Sequence, residues 1–128
     1  MLFAKYNELK IVILGGDGDF YVLQESGAVN LCGKTSLGQL ATILKACRVV
    51  TGGDTGPVHM AASLGVPVVV MFGGSDVQET APVTPAATIL KKDFSCSPCR
   101  GRVTCTDYPC LSTITPDEVL NAISRWLE

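Results

Sequence analysis

One short segment of the sequence combines an acid, a hydroxyl and an imidazole at a spacing that suits ligand binding. Residues 54–59 read Asp-Thr-Gly-Pro-Val-His and follow the pair Gly52-Gly53. Proline suits the first turn of a helix, so we expect a helix to begin at Pro57. The first amides of a helix have no partners within it and carry the positive end of its dipole. A diphosphate is therefore a natural ligand for this turn.

The side chains of the segment suggest separate roles. Thr55 offers a hydroxyl donor, and His59 lies within the first helical turn. Asp54 repels a phosphate, so we expect it to bind a sugar hydroxyl or to orient a neighbouring side chain. Each residue also has a plain structural interpretation, since Asp54 or Thr55 can cap the helix and His59, the single histidine, can be a core residue. Their combination after a Gly-Gly turn favours a binding site.

Three Gly-Gly pairs follow strand-like segments, at residues 15–16, 52–53 and 73–74. Glycine lets a backbone approach a ligand closely. Ligands of open α/β sheets bind outside the carboxyl ends of the strands. The three pairs together predict a shared ligand crevice.

The elements that must position these turns alternate along the chain. Apolar runs predict strands at residues 11–14, 29–31, 49–51, 67–72 and 87–90. Helices are expected at 19–25, 36–47, 57–64 and 115–127, two of them opened by capping boxes, Ser36 with Gln39 and Thr115 with Glu118. Apolar strands alternating with helices predict a Rossmann-like parallel sheet with helices on both faces, built as one domain over residues 1–128.

Four cysteines fall within an irregular loop at residues 93–112, namely Cys96, Cys99, Cys105 and Cys110. Four thiolates can close a tetrahedral zinc site. Two disulfides, or reduced thiols that pack the loop, are the other interpretations, and we favour a loop without metal. Cys32 and Cys47 fit ordinary core positions.

The composition excludes several classes of function. Hydrophobic residues make up 47% of the chain and charged residues 17%, which suggests a broad buried sheet, a face for a second domain, or self-association. The net charge is −2 and no basic cluster is present, which argues against nucleic-acid binding. No apolar run is long enough to span a membrane and no signal peptide is evident, so we expect a cytoplasmic protein.

Residues 54–76 carry a resemblance to a known family. They closely resemble the Asp-Thr-Gly-Pro-x-His-x-Ala-Ala-x-Leu-Gly-x-Pro segment of glycosyltransferase family 9, which contains the ADP-heptose:lipopolysaccharide heptosyltransferases. The preceding segment 30–50 and the cysteine loop with the closing helix, 96–123, are also similar to the family, so the resemblance covers about residues 10–127.

The resemblance implies the carboxy-terminal, donor-binding half of a GT-B fold. It implies that Asp54, Thr55, Gly56 and His59 contact an ADP-heptose donor or a related nucleotide sugar. It also suggests Asp19 against the ribose, although a helix cap explains Asp19 equally well. No further cofactor, no bound metal and no catalytic residue of this chain is implied.

In the family, a separate amino-terminal domain binds the sugar acceptor and supplies the base. That domain and the first strand–helix unit of the donor domain have no counterpart in this sequence. We therefore expect the chain alone to be inactive, and its full protein to act on the lipopolysaccharide core, in the cytoplasm or at the inner face of the inner membrane. The alternatives are a GT-B nucleotide-sugar 2-epimerase, which would want more acidic and histidine residues, and a non-catalytic module built on the cysteine loop.

Overall fold

The structure, a computed structural model, describes residues 9–19, 27–102 and 105–128. Strands and helices alternate along these residues, as the sequence predicts. The chain divides into two compact units, Met1–Ile43 and Leu44–Glu128. Five parallel strands are present in the described residues, and they form two separate ladders, one in each unit.

The first unit contains a short parallel pair of strands. Strands β1 (Val12–Ile13) and β2 (Val29–Asn30) pair with Val12 opposite Val29. Both are shorter than predicted, but a further backbone bond from Gly33 N to Gly15 O, 2.9 Å, continues the pairing beyond them. A 3₁₀ helix follows β1 at Asp17–Asp19. The rest of the helix predicted at 19–25 falls on residues 20–26, outside the described part.

Helix α1 (Leu37–Ala46) begins with the predicted capping box. The Ser36 amide donates to Gln39 Oε1 at 2.9 Å, and the Gln39 amide donates to Ser36 Oγ at 3.2 Å. These reciprocal bonds satisfy two amides that the first turn leaves free. The boundary between the two units falls within this helix.

The second unit is built on a three-stranded parallel sheet in the order β3-β4-β5, with β3 at Val50–Gly53, β4 at Val68–Phe72 and β5 at Ala87–Lys91. In β4, Val68 and Val69 point to opposite faces and both are fully buried, as are Val70 and Phe72. Both faces of the sheet are therefore covered, as in a parallel sheet with helices on either side.

Four helices complete the second unit. Helix α2 (Gly56–Ser63) joins β3 to β4 and packs against both, and α3 (Val77–Thr80) is a single turn before β5. Helix α4 (Pro109–Ser112) is another single turn, and α5 (Pro116–Leu127) packs on β4 and β5. The sequence did not predict α3 or α4, because a single turn is too short to show an apolar period.

The closing helix α5 has the predicted cap. Thr115 and Glu118 form its capping box, and Ala122, Ile123 and Leu127 are buried. The Trp126 indole donates to Thr88 Oγ1 at 3.1 Å, which ties the helix to β5. Among the described residues, no helix has both the length and the apolar character that a membrane span needs.

Candidate functional site

The turn between β3 and α2 is fixed by close packing of the helix on the strand. A Cβ at Gly52 would lie 3.1 Å from Val58 Cγ2, so glycine lets the first turn of α2 sit directly against β3. Asp54 and Thr55 occupy the turn itself, beyond the carboxyl end of β3. The site predicted from sequence therefore lies at the edge of the sheet where parallel α/β folds bind ligands.

Asp54 and His59 form a pair across this turn. His59 Nε2 lies 2.8 Å from Asp54 Oδ1, and the side chains are 41% and 17% exposed, respectively. The exposure of the ring excludes the interpretation of His59 as a core residue. Of the two roles that the sequence left open for Asp54, orienting a neighbour is visible in the geometry. With Nε2 directed at the carboxylate, the ring orientation is fixed.

The surroundings of Asp54 favour its ionised form. Partial burial raises the pKa of Asp54, but hydrogen bonds from His59, Thr80 and Ser75 lower it by more, and the net pKa lies below the usual range. The carboxylate is therefore charged at neutral pH. A charged Asp54 disfavours direct contact with a phosphate, and its carboxylate contacts the His59 ring instead.

Thr55 and Gly56 present unused groups to solvent. Thr55 occupies the N-cap position with an extended backbone, yet its hydroxyl makes no capping bond and the residue is exposed. Gly56 is exposed too, and a Cβ there would meet no neighbouring atom within 4 Å. Packing therefore does not explain the glycine. The Gly56 and Val58 amides belong to the first turn, where a helix leaves amides without internal partners.

Asp19 belongs to the first unit and closes its own turn. Asp19 Oδ2 accepts a hydrogen bond from the Gly16 amide at 2.9 Å. A Cβ at Gly15 would lie 2.6 Å from the same oxygen, so the glycine makes room for the carboxylate. This is a local capping role, close to the plain alternative that the sequence left open. Asp54 and His59 are brought together in the second unit, whereas Asp19 has its described contacts within the first.

The space beside the third Gly-Gly pair, Gly73-Gly74, is filled by side chains of the cysteine loop. A Cβ at Gly73 would lie 2.8 Å from Leu111 Cγ, and one at Gly74 would lie 2.7 Å from Cys99 Sγ. Ser97 Oγ donates to Gly73 O at 2.9 Å. These glycines are required by packing of the cysteine loop. The expectation that this pair lines a ligand crevice therefore has no support from its surroundings.

The cysteines of the loop form neither disulfides nor a metal cluster within the described residues. None of the six cysteines, all of which lie in the described part of the chain, forms a disulfide, and Cys99 packs against Gly74. No group of three or more His, Cys, Asp or Glu side chains suited to a metal ion occurs among the described residues. Cys32 is buried in the core, as expected, whereas Cys47 is only half-buried, and its partial burial raises the pKa of its thiol.

Sequence reasoning missed the residues around α3 that surround Asp54. Ser75 precedes this single turn and Thr80 ends it, and both hydroxyls help to lower the pKa of Asp54. Asp76 caps α3 by accepting a bond from the Gln78 amide at 3.0 Å. The spacing of Asp76 and Glu79 is that of a capping box, which was the signal available in the sequence.

Comparison with known proteins shows the family to which this chain is similar. The family described as "Glycosyltransferase family 9 (heptosyltransferase)" matches residues 19–108. Lipopolysaccharide heptosyltransferase 2 of Salmonella typhimurium is 31% identical over 105 residues, which are 81% of this chain and 30% of that protein. Lipooligosaccharide heptosyltransferase 2 of Campylobacter jejuni is 28% identical over 102 residues, or 77% of this chain and 32% of that protein. The chain thus spans about a third of the length of these relatives.

Two solved structures share the fold. A glycosyl transferase family 9 protein from Veillonella parvula superposes with a TM-score of 0.83 at 27% identity, covering 98% of this chain and 38% of that one. The ADP-heptose lps heptosyltransferase II of E. coli superposes with a TM-score of 0.76 at 24% identity, covering 97% and 38%. At 24% identity, the similarity to the E. coli structure supports the fold alone.

Proposed function

The chain belongs to glycosyltransferase family 9, the heptosyltransferase family, and we propose that it binds the nucleotide-sugar donor of a heptose transfer. The donor is ADP-heptose or a related ADP-sugar, and its diphosphate lies at the amino terminus of α2. Thr55 donates its hydroxyl and the first-turn amides donate their N–H groups. His59, whose ring is oriented by Asp54, lies against the diphosphate and the sugar.

The observation that carries this proposal is a set of hydrogen-bond donors at the start of α2 that the fold itself does not use. The Thr55 hydroxyl does not cap its helix, and Gly56 leaves an open approach to the backbone. His59 is partly exposed and already oriented by a charged partner. Preoriented donors at a helix amino terminus suit a diphosphate because they require no rearrangement on binding.

On this proposal, the residues of this chain do not bind the acceptor or supply the base. We place the acceptor sugar of the lipopolysaccharide core, and the base that activates it, on a second domain facing this one. The acceptor is lipid-linked, which places the encounter at the inner face of the inner membrane.

On this proposal the chain alone transfers no sugar. Transfer requires the acceptor hydroxyl, a base and the donor carbon in close alignment, and it requires exclusion of water from the activated sugar. Asp54 is occupied by His59 on the donor side and does not serve as the base. The relatives reported above are transferases by name, so they favour transfer over 2-epimerisation, and the cysteine loop shows no metal cluster among its described residues to favour a metal module.

Titration calorimetry with ADP tests the donor site. Thr55→Ala should weaken ADP binding about 10- to 150-fold, which corresponds to the loss of one hydrogen bond to a charged group, and His59→Ala should weaken it as well. Thr42→Ala is the matched control, because Thr42 is an exposed helical threonine whose hydroxyl bonds only to its own helix at Gly38 O. Equal affinities in the wild type, Thr55→Ala and His59→Ala would refute the assignment.

A further inference from the structure

Tyr108 is an aromatic residue in a backbone conformation that disfavours its own side chain. It precedes helix α4 with φ 44° and ψ 57°, in the left-handed region. That region is costly for a bulky residue, and a residue before proline, here Pro109, ordinarily prefers an extended backbone. Glycine or asparagine would occupy the position at lower cost. The reason for a tyrosine here must therefore come from its side chain.

Packing and hydrogen bonding within the fold do not supply that reason. The residue is 57% exposed, so its ring is not a core residue. The side chain does not cap α4, and the Tyr108 hydroxyl makes no hydrogen bond among residues 9–19, 27–102 and 105–128. The Tyr108 carbonyl accepts bonds from the Leu111 and Ser112 amides, both at 2.9 Å, but any residue could provide that carbonyl. The ring and hydroxyl are thus available to a ligand.

Helix α4 holds Tyr108 at the carboxyl end of β4. The helix packs on β4, and a Cβ at Gly73, directly after the strand, would lie 2.8 Å from Leu111 Cγ. Tyr108 precedes Leu111 by three residues, which is less than one helical turn of about 5.4 Å. Tyr108 is therefore at the edge of the sheet where parallel α/β folds bind ligands.

The proposed donor site lies at the same edge, one strand away. Strand β3 pairs with β4 so that Gly53 is opposite Met71, and the two strands end at nearly the same level. Adjacent strands are about 4.8 Å apart. The turn that carries Asp54 and Thr55 is therefore beside Gly73, which brings Tyr108 within roughly 15 Å of the start of α2.

Helices α2 and α4 approach this edge from opposite faces of the sheet. Gly52 packs against α2 and lies opposite Val70, so Val70 is on the α2 face. Side chains alternate along a strand, so Gly73, three residues on, is directed to the other face, where Leu111 of α4 fills the space. A ligand that lies across the edge can therefore contact the start of α2 and the residue that precedes α4.

We propose that the Tyr108 ring stacks against the sugar ring of the donor. This inference rests on the proposed donor-binding function, which places the diphosphate at the start of α2 and the sugar against His59. An aromatic ring covers the C–H face of a sugar, while the tyrosine hydroxyl stays at the wet edge of the contact. Tyr108 positions and selects the sugar, and it takes no part in making or breaking bonds.

Calorimetry with ADP and with ADP-heptose isolates the contact with the sugar. Tyr108→Ala should weaken the binding of ADP-heptose about 3- to 10-fold, the range for one aromatic contact, and leave the affinity for ADP unchanged. Tyr108→Phe keeps the ring and should bind both ligands as wild type does. Val83→Ala is the control, because Val83 is also an exposed apolar residue but precedes the amino end of β5. Neither affinity should change in that variant.

Tyr108→Gly separates the role of the ring from a contribution to folding. Glycine adopts the left-handed backbone without strain, so this variant should have a melting temperature no lower than that of wild type. It should still lose as much affinity for ADP-heptose as Tyr108→Ala loses. A clearly lower melting temperature for Tyr108→Gly would show that packing requires the ring, and would overturn the proposal.

The same titrations distinguish a failure of this inference from a failure of the proposed function. Wild-type protein that binds neither ligand overturns the donor-binding function and this inference with it. If wild type binds both ligands, two results overturn this inference alone. One is a Tyr108→Ala variant that binds ADP-heptose as tightly as wild type does. The other is an equal loss of affinity for ADP and ADP-heptose, which would assign the ring to the nucleotide.

Discussion

At the residue scale, the candidate site is a division of labour between one charged acid and the groups around it. The lowered pKa of Asp54 keeps its carboxyl ionised, and Oδ1 of this carboxylate lies 2.8 Å from His59 Nε2. The outward-facing groups, the Thr55 hydroxyl and the α2 amides, are the ones suited to an anion. The charge of Asp54 is compatible with the proposed diphosphate site, because its carboxylate already bonds to the His59 ring and the proposed donors to the diphosphate belong to other groups.

Gly56 gives a prediction at this scale. No neighbouring atom lies within 4 Å of a Cβ placed there, and its backbone φ is not left-handed, so Gly56→Ala should fold normally. The unfolded chain loses freedom, which stabilises the fold by about 0.4–1 kcal/mol. The new methyl would occupy the space proposed for the diphosphate, so ADP binding should weaken about tenfold or more. Calorimetry measures the affinity for ADP, and thermal unfolding measures the stability of the same variant.

Gly38→Ala is the matched control for that variant. Gly38 lies in helix α1, and a Cβ there also meets nothing within 4 Å. The substitution should raise the melting temperature to a similar degree and leave ADP affinity unchanged. If Gly56→Ala bound ADP as tightly as Gly38→Ala, the ligand would not approach the backbone at Gly56.

At the element scale, the sequence predicts what local chemistry determines. The capping boxes of α1 and α5 follow from Ser36 and Thr115 with their partners three residues on, and both are present. The burial of β4, in which only Met71 is partly exposed, follows from its unbroken apolar run. The Asp54–His59 contact was only one of two possibilities, because five residues of separation do not fix where two side chains point.

What the sequence could not predict depends on contacts distant along the chain. Arg100 reaches Asp76 and Glu79 across more than 20 residues, and nothing local marks that partnership. The Gly73-Gly74 pair resembles a ligand-binding turn until the cysteine loop is seen against it. A glycine pair reports close approach of some group to the backbone, and only the fold shows which group.

The α5 capping box gives a pH prediction at the same scale. The Lys92 ammonium, 2.6 Å from Glu118, lowers the pKa of that carboxyl to about 2, with help from the Thr115 amide and hydroxyl. Because the folded pKa lies below the usual 4.5, Glu118 contributes stability that is complete above pH 4.5 and is lost as the pH falls through about 2.

Glu118→Gln isolates that charge, because glutamine can still cap the helix. The urea midpoint of unfolding should be lower for Glu118→Gln than for wild type at pH 7. The difference between the two midpoints should decrease steadily below pH 4.5. Asp117→Asn, in the same helical turn but without an ion pair among the described residues, is the control and should show a smaller gap at pH 7. A gap for Glu118→Gln that stays constant from pH 7 to pH 2.5 would contradict the account.

At the scale of the whole molecule, the proposal is that this chain provides the donor side of a transfer reaction. It spans about a third of the length of its heptosyltransferase relatives, yet nearly all of it superposes on family 9 structures. Its hydrophobic content of 47% is consistent with a face that meets another domain or another copy, which remains a proposal. The site at the carboxyl end of β3 is where a facing domain would close over a bound donor.

The most direct test of the central claim is to follow His59 by magnetic resonance while ADP is added. The single tryptophan, Trp126, is a built-in reference, because its indole bonds to Thr88 near the amino end of β5, at the opposite edge of the sheet from the α2 turn. We predict that the His59 imidazole signals shift with ADP until they saturate, while the Trp126 indole signal stays in place. ADP that binds by calorimetry and leaves His59 unmoved would contradict the assignment of the donor site.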